Sequence, residues 1–183
     1  PELKDYSATG IVLQAYLRDG AKHLREIIEL AKERNLVMPV RIVKGAYWDA
    51  ETVEGDAHAF NAPQFLNKEE TDLHFRQLII EIFKAHPHLK LCLASHNFSD
   101  HAWARVVMNK KFPQVGEFEH KCLHMTYEAL SHALAKMNWP VRNYVPVGSL
   151  LVGMAYLVRR IMENSSQVGV LTIMRSHKKQ ESL

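Results

Sequence analysis

Apolar and polar residues follow one another along this chain in two rhythms that alternate through five successive pairs. Gly10 to Tyr16 (GIVLQAY) is short, apolar and β-branched, which predicts a strand. From Ala21 to Arg34 the period lengthens: Leu24, Ile27, Ile28 and Ala31 fall at i, i+3, i+4 and i+7, with Lys, Arg and Glu on the other face. That spacing predicts an amphipathic helix. Pro39 precedes a second predicted strand, Val40 to Tyr47 (VRIVKGAY). The helix after it starts at Asn67, whose amide can cap while Glu70 completes a capping box, and its apolar stripe is Leu78, Ile79, Ile82 and Phe83.

Three more pairs follow. Leu89 to His96 (LKLCLASH) reads as a strand, and Ser99 can cap a helix running to about Lys111. Glu117 to His124 (EFEHKCLH) is a polar-interrupted strand, followed by a helix from Thr126 to Met137 with Leu130, Ala133, Leu134 and Met137 on one stripe. Arg142 to Val147 (RNYVPV) closes the set of strands, and Leu151 to Asn164 is the last long helix. Five βα units in tandem call for an α/β fold with a parallel sheet and covering helices. The stretch from Trp48 to Leu66 is the one connection long enough to form a functional loop.

Length narrows the architecture. Five units of about 36 residues consume all 183, whereas a closed (β/α)8 barrel takes about 250. The sheet is therefore either open and doubly wound or a partial (β/α)8 TIM-like barrel. Doubly wound nucleotide folds carry G-x-G-x-x-G after the first strand; here Tyr16 is followed by LRDGAKHL, which favours the partial barrel. A first residue of Pro rather than Met fits a piece of something longer.

Composition excludes several classes. With 47% hydrophobic and 23% charged residues, the chain is neither collagen-like nor charge-rich and disordered. Two cysteines, Cys92 and Cys122, are too few for a disulfide framework and fit a reducing compartment. A net charge of +3 is no footprint for nucleic acid, and the one basic cluster, Arg175 to Lys179, reads as a solvated terminus. The longest apolar run, Leu150 to Val158, is shorter than the ~18–20 residues of a membrane span. The expectation is a soluble, intracellular protein.

In parallel-sheet enzymes ligands bind at the carboxyl ends of the strands. Polar residues assigned to that zone are Gln14, Arg41, Lys44, Ser95, His96, Glu119 and Tyr144. Arg41 lies between Val40 and Ile42, and a guanidinium so placed needs a carboxylate or a ligand anion. Arg41, Val43, Gly45 and Tyr47 share one face by the two-residue period, and Gly45 either admits a flat ligand or ends the strand. On the final helix Tyr156, Arg159, Arg160 and Glu163 share roughly one face; the two guanidiniums can grip a carboxylate, or Arg159 and Glu163 can pair on a solvated surface. His96, His101, His120 and His124 have no familiar metal-ligand spacing, so no metal is expected. Ser95 and His96 are adjacent and point to opposite faces, which excludes a nucleophile–base pair; His96 is suited to hydrogen-bond a phosphate or hydroxyl, or else has a capping or core role.

GIVLQAY, VRIVKGAYWDAE, LASHN, GEFEHKCL and YVPVG followed by MAYLVRRIMEN resemble successive strand-end motifs of the proline dehydrogenase family, in particular the flavin domain of bacterial bifunctional proline utilisation proteins. The resemblance runs from Gly10 to Ser166 and implies units four to eight of a distorted (β/α)8 barrel. Residues 1–166 would then be the C-terminal part of the barrel domain, with 167–183 a tail or the start of a linker. It implies FAD-dependent oxidation of L-proline to Δ1-pyrroline-5-carboxylate by hydride transfer to flavin N5. Implied partners are a quinone acceptor, a fused or associated Δ1-pyrroline-5-carboxylate dehydrogenase and peripheral membrane contact in a cytoplasmic protein.

By the same resemblance Gln14, Lys44, Gly45, Ala46, Ser95 and His96 match flavin contacts, and Arg41 the catalytic arginine beside flavin N5. Tyr47, Trp48, Tyr144 and Tyr156 match aromatic positions around flavin or proline. Arg159 and Arg160 match the pair that binds the substrate carboxylate, and Glu163 the acid that supports it. Departures are Ser95 in place of Thr, GEFEHKCLHMTY in place of FEFQ-x-L-x-G-M, and the tail after Asn164. Two other readings accompany this one: a non-catalytic (β/α) scaffold or assembly module, and an FAD barrel enzyme acting on another amino acid.

Overall fold

A computed structural model describes residues 6, 9–45, 63–65, 67–124, 128–149 and 153–154. The chain divides into two compact units, Pro1–Tyr144 and Val145–Leu183. All the strands and long helices described belong to the first. They run β1 (Ile11–Gln14), α1 (Gly20–Arg34), β2 (Met38–Val43), α2 (Lys68–Lys84), β3 (Leu89–Ala94), α3 (Phe98–Lys111), a short 3₁₀ turn (Pro113–Val115), β4 (Glu119–Leu123), α4 (Glu128–Lys136) and β5 (Val141–Tyr144).

The five strands form one parallel sheet in the order β1-β2-β3-β4-β5. Spatial order equals chain order, with no reversal among the described strands. A doubly wound sheet needs such a reversal, because its helices cover both faces; a barrel does not. The sheet is therefore built as an arc of a (β/α) barrel, as the missing glycine motif suggested.

Register separates two faces. The row Leu13–Ile42–Leu93–His120–Val141 turns toward the helices. Val40, Ile42, Leu91 and Leu93 pack there against Leu24, Ile27 and Ala31 of α1 and Phe75, Leu78, Ile79, Ile82 and Phe83 of α2. Burying each such side chain contributes about 1.5–3 kcal/mol, so this layer holds the unit together. A smaller cluster, Cys122 with Leu130 and Leu134, seats α4. The opposite face carries Val12, Arg41, Cys92 and Glu119 in one row, and Gln14, Val43, Ala94, Lys121 and Arg142 in the next.

Several boundaries differ from the sequence pattern. The second strand starts at Met38, so Pro39 lies inside it, and it stops at Val43 because Gly45 turns to φ +138°. The cap of α3 is Asn97, whose side chain accepts from the Ser99 N–H at 3.0 Å, rather than Ser99 itself. On α4 the buried residues are Leu130, Ser131 and Leu134, while Ala133 and Met137 are exposed. The helix ends at Lys136 and Asn138 takes φ +55°, which carries Met137 off the stripe. The last strand is Val141–Tyr144, matching the end of its partner at Leu123. The expected capping box holds: Glu70 Oε2 accepts the Asn67 N–H at 3.3 Å. Most of the Trp48–Leu66 connection lies outside the described residues; its end is tied to β1 through Phe65 N–H to Tyr16 O at 2.8 Å.

Candidate active site

Arg41 sits in the middle of β2 on the face turned away from the helices, half-buried. It lines a cavity of about 290 Å³ together with Gly10, Val12, Pro39, Cys92 and Lys121. The only carboxylate in its row is Glu119, and that group is already committed: Arg142 Nη2 lies 2.9 Å from its Oε2 and Lys121 Nζ 3.3 Å from its Oε1. No described carboxylate pairs with Arg41, and its Nε is buried without a hydrogen-bond partner. A buried donor of this kind costs free energy until an acceptor arrives. Gln14 lies one row farther toward the carboxyl ends, on the same face. Glu119, assigned from sequence to a strand end, begins β4 instead.

Lys44 belongs to the other layer. It follows β2 with the parity of Val40 and Ile42, and its ammonium enters the helix side, 2.6 Å from Asp72 Oδ1 and 2.9 Å from Asp100 Oδ2. Phe75 lies beneath it at 5.4 Å. Burial works against the Asp72 carboxylate, but Lys44 and Lys68 outweigh it and hold the group below the usual carboxylate range. The side chain expected among the flavin contacts is thus a tie between β2, α2 and α3. Gly45 is also explained internally: a Cβ there would lie 2.4 Å from ring carbons of Tyr16. Its positive φ and the Tyr16 ring both demand glycine.

Ser95 and His96 occupy the turn from β3 into α3. The Ser95 hydroxyl donates to Asp100 Oδ2 at 2.7 Å and accepts the Asn97 N–H at 3.1 Å, while its carbonyl accepts from His101 Nε2 at 2.8 Å. Tyr144 ends β5, about half exposed. Ala46, Tyr47 and Trp48 lie outside the described residues, as do Tyr156, Arg159, Arg160 and Glu163. The structure thus brings Gln14 and Arg41 onto one face, and puts the Lys44 ammonium and the Ser95 hydroxyl in a separate network behind it.

With this geometry in view, comparison with known proteins is decisive: the proline dehydrogenase family model matches residues 1–172. The chain belongs to the proline dehydrogenase family. It is 30% identical over 173 residues to the bifunctional protein PutA of Escherichia coli, covering 91% of this chain and 13% of that one. With the PutA of Rhizobium meliloti the identity is 33% over 169 residues, covering 90% and 14%. Among solved structures, proline utilization A from Bdellovibrio bacteriovorus inactivated by N-propargylglycine matches with TM-score 0.85 and 36% identity, over 91% of this chain and 17% of that one. The chain therefore spans well under a fifth of the length of these PutA relatives.

One feature of this proline dehydrogenase segment was invisible to motif reading. His101 and His120 meet through their Nδ1 atoms at 2.8 Å, both buried. Phe118, His120 and Cys122 share the helix-facing side of β4 by the two-residue period, so a polar ring in that apolar row was the available signal. No group of metal-ligating residues occurs among the described residues.

Proposed function

We propose that this chain forms the arc of a proline dehydrogenase barrel that holds FAD and the substrate carboxylate, in an enzyme oxidising L-proline to Δ1-pyrroline-5-carboxylate. The observation that carries the reading is Arg41: a half-buried guanidinium with a bare Nε, in a cavity, in a chain of this family. Such a donor fits an electron-rich cofactor edge. FAD, when bound, supplies at N5 the acceptor for a hydride leaving the proline ring carbon next to nitrogen.

The rest is done by the chain. Arg41 places a positive charge where negative charge develops. Gln14 and the backbone at Gly45–Ala46 border the cofactor, with Trp48, Ser95 and His96. Arg159 and Arg160 grip the proline carboxylate through charge-assisted hydrogen bonds, and Glu163 holds the pair in place. Tyr47, Tyr144 and Tyr156 enclose the ring and exclude water. Holding donor and acceptor in one orientation supplies most of the rate. The same reading gives the electrons to a quinone at a membrane surface, in a cytoplasmic protein. It also provides a Δ1-pyrroline-5-carboxylate dehydrogenase partner, for which relatives named bifunctional are the support.

The purified holoprotein should show flavin absorbance and reduce a dye with proline. Arg159→Ala or Arg160→Ala should raise KM for proline roughly 10–100-fold, the worth of a charged hydrogen bond. A purified protein that is colourless and takes up no flavin, or one inert toward proline but active on another amino acid, overturns the assignment. Unchanged KM in both variants removes the carboxylate role.

A further inference from the structure

A backbone carbonyl can only accept a hydrogen bond, and one such carbonyl sets the state of two buried histidines. The Ser95 oxygen lies 2.8 Å from His101 Nε2, so that nitrogen carries a proton. In a neutral ring His101 Nδ1 then has only a lone pair. His120 Nδ1, 2.8 Å away, must donate to it. That leaves His120 Nε2 bare, and this atom is buried with no hydrogen-bond partner. The His120 ring is gripped on both sides, stacked on Trp139 at 5.2 Å and 18° and tilted against Phe118 at 4.4 Å. The two Nδ1 atoms are too close to share a zinc ion, whose tetrahedral ligands stand about 3.3 Å apart.

Ser95 is held at both polar ends by consecutive residues of α3. His101 takes its carbonyl, and Asp100 takes its hydroxyl at 2.7 Å. Asp100 is itself neutralised by Lys44 at 2.9 Å. We propose that His101 and His120 are positioning residues, a neutral imidazole pair that holds the Ser95–His96 turn in its cofactor-binding geometry and releases it only when both rings are protonated. The inference rests on the reading of Ser95 and His96 as flavin contacts.

The chemistry of release follows from the donors. One added proton lands on His120 Nε2, the one free lone pair of the two rings; both hydrogen bonds survive, and the new N–H is buried with no acceptor. A second puts two N–H groups face to face. Charged or titratable groups around the pair are Asp100 and Arg105 on α3, His96 on the turn and Lys44 after β2. Glu119 and Lys121 of β4 lie on the other face of the sheet, and Trp139 contributes only its ring. Burial, and for His120 the neighbouring His101 and Arg105, disfavour the charged forms. Asp100 pulls the other way on His101.

The test uses His120→Phe, which keeps a ring on Trp139 and removes the hydrogen bond, and His120→Gln, which can still donate to His101. Long-range proton–nitrogen NMR of the full chain should show His101 as the Nε2–H and His120 as the Nδ1–H tautomer at pH 7, with His120 uncharged down to pH 5. The opposite tautomers, or a charged His120 at pH 6, overturn the proposal. In His120→Phe the Asn97 amide, which donates to Ser95, should exchange with solvent about tenfold faster, and His120→Gln should restore part of the protection. In the holoprotein His120→Phe should weaken FAD binding about fivefold at pH 7.5, the loss of about one hydrogen bond. In the unaltered protein FAD affinity should stay level between pH 7 and pH 5, where His120 is uncharged. Unchanged Asn97 exchange together with unchanged FAD affinity in His120→Phe overturns the positioning role. Failure of the unaltered protein to bind FAD at any pH overturns the cofactor reading instead, and the amide exchange then judges the histidine pair alone.

Discussion

At the scale of single residues, what decides a role here is which face of a strand carries the side chain. Arg41 and Lys44 lie three positions apart and both carry a positive charge, yet they do opposite things. Odd parity sends Arg41 to the face turned away from the described helices, where its Nε stays bare. Even parity sends Lys44 into the helix layer, where two carboxylates neutralise it. A buried ammonium that loses a partner is left partly uncompensated. Asp100→Asn should therefore cost about 2 kcal/mol in urea denaturation, less than a full buried-pair loss because Asp72 stays at 2.6 Å. A cost below a few tenths of a kcal/mol would show that Lys44 is held by Asp72 alone.

At the scale of elements, the helices were legible because their apolar stripes are long. Leu24, Ile27 and Ala31 of α1 and Leu78, Ile79, Ile82 and Phe83 of α2 are buried as their spacing demands. Ends were less legible. Asn97 and Ser99 are both good capping residues by chemistry, and only backbone geometry selects Asn97, which bonds the Ser99 N–H. Asn97→Ala should lower stability by about 1 kcal/mol, whereas Ser99→Ala should change it little; thermal melts of the two variants distinguish them. The same holds for β2, whose predicted span runs on to Tyr47 although Gly45 and the Tyr16 ring end the strand at Val43.

At the scale of the whole molecule, buried imidazoles and paired carboxylates push stability the same way with pH. Burial, with His101 and Arg105 nearby, takes His120 from 6.5 down to about 3, and burial also lowers His101. The native state thus binds fewer protons than the unfolded chain from about pH 6.5 downward, so stability falls as pH falls through that window. The Arg105 guanidinium holds Glu117 below the usual carboxylate range, and Lys44 and Lys68 do so for Asp72; both contributions are present above their unfolded values and lost on further acidification. The melting temperature should drop by roughly 5–10 °C between pH 7 and pH 4.5, and His120→Phe should remove much of that drop. A flat profile between pH 7 and pH 5 would mean that His120 is not the buried neutral ring the geometry requires.

Hydrophobic periodicity by itself determined the order of strands and helices, the parallel sheet and the apolar faces, because these follow from local spacing and from the need to bury one stripe per element. Strand-end motifs such as VRIVKGAYWDAE and LASHN determined the family in the same local way, being contiguous in the chain. Tertiary structure alone decided that no described carboxylate pairs with Arg41 while Lys44 has two, and that His101 and His120 touch. Those facts depend on register across three strands and on the seating of α2 and α3, which bring residues 19 to 56 positions apart within hydrogen-bond distance. Sequence spacing carries no record of such distances; only the packed sheet does.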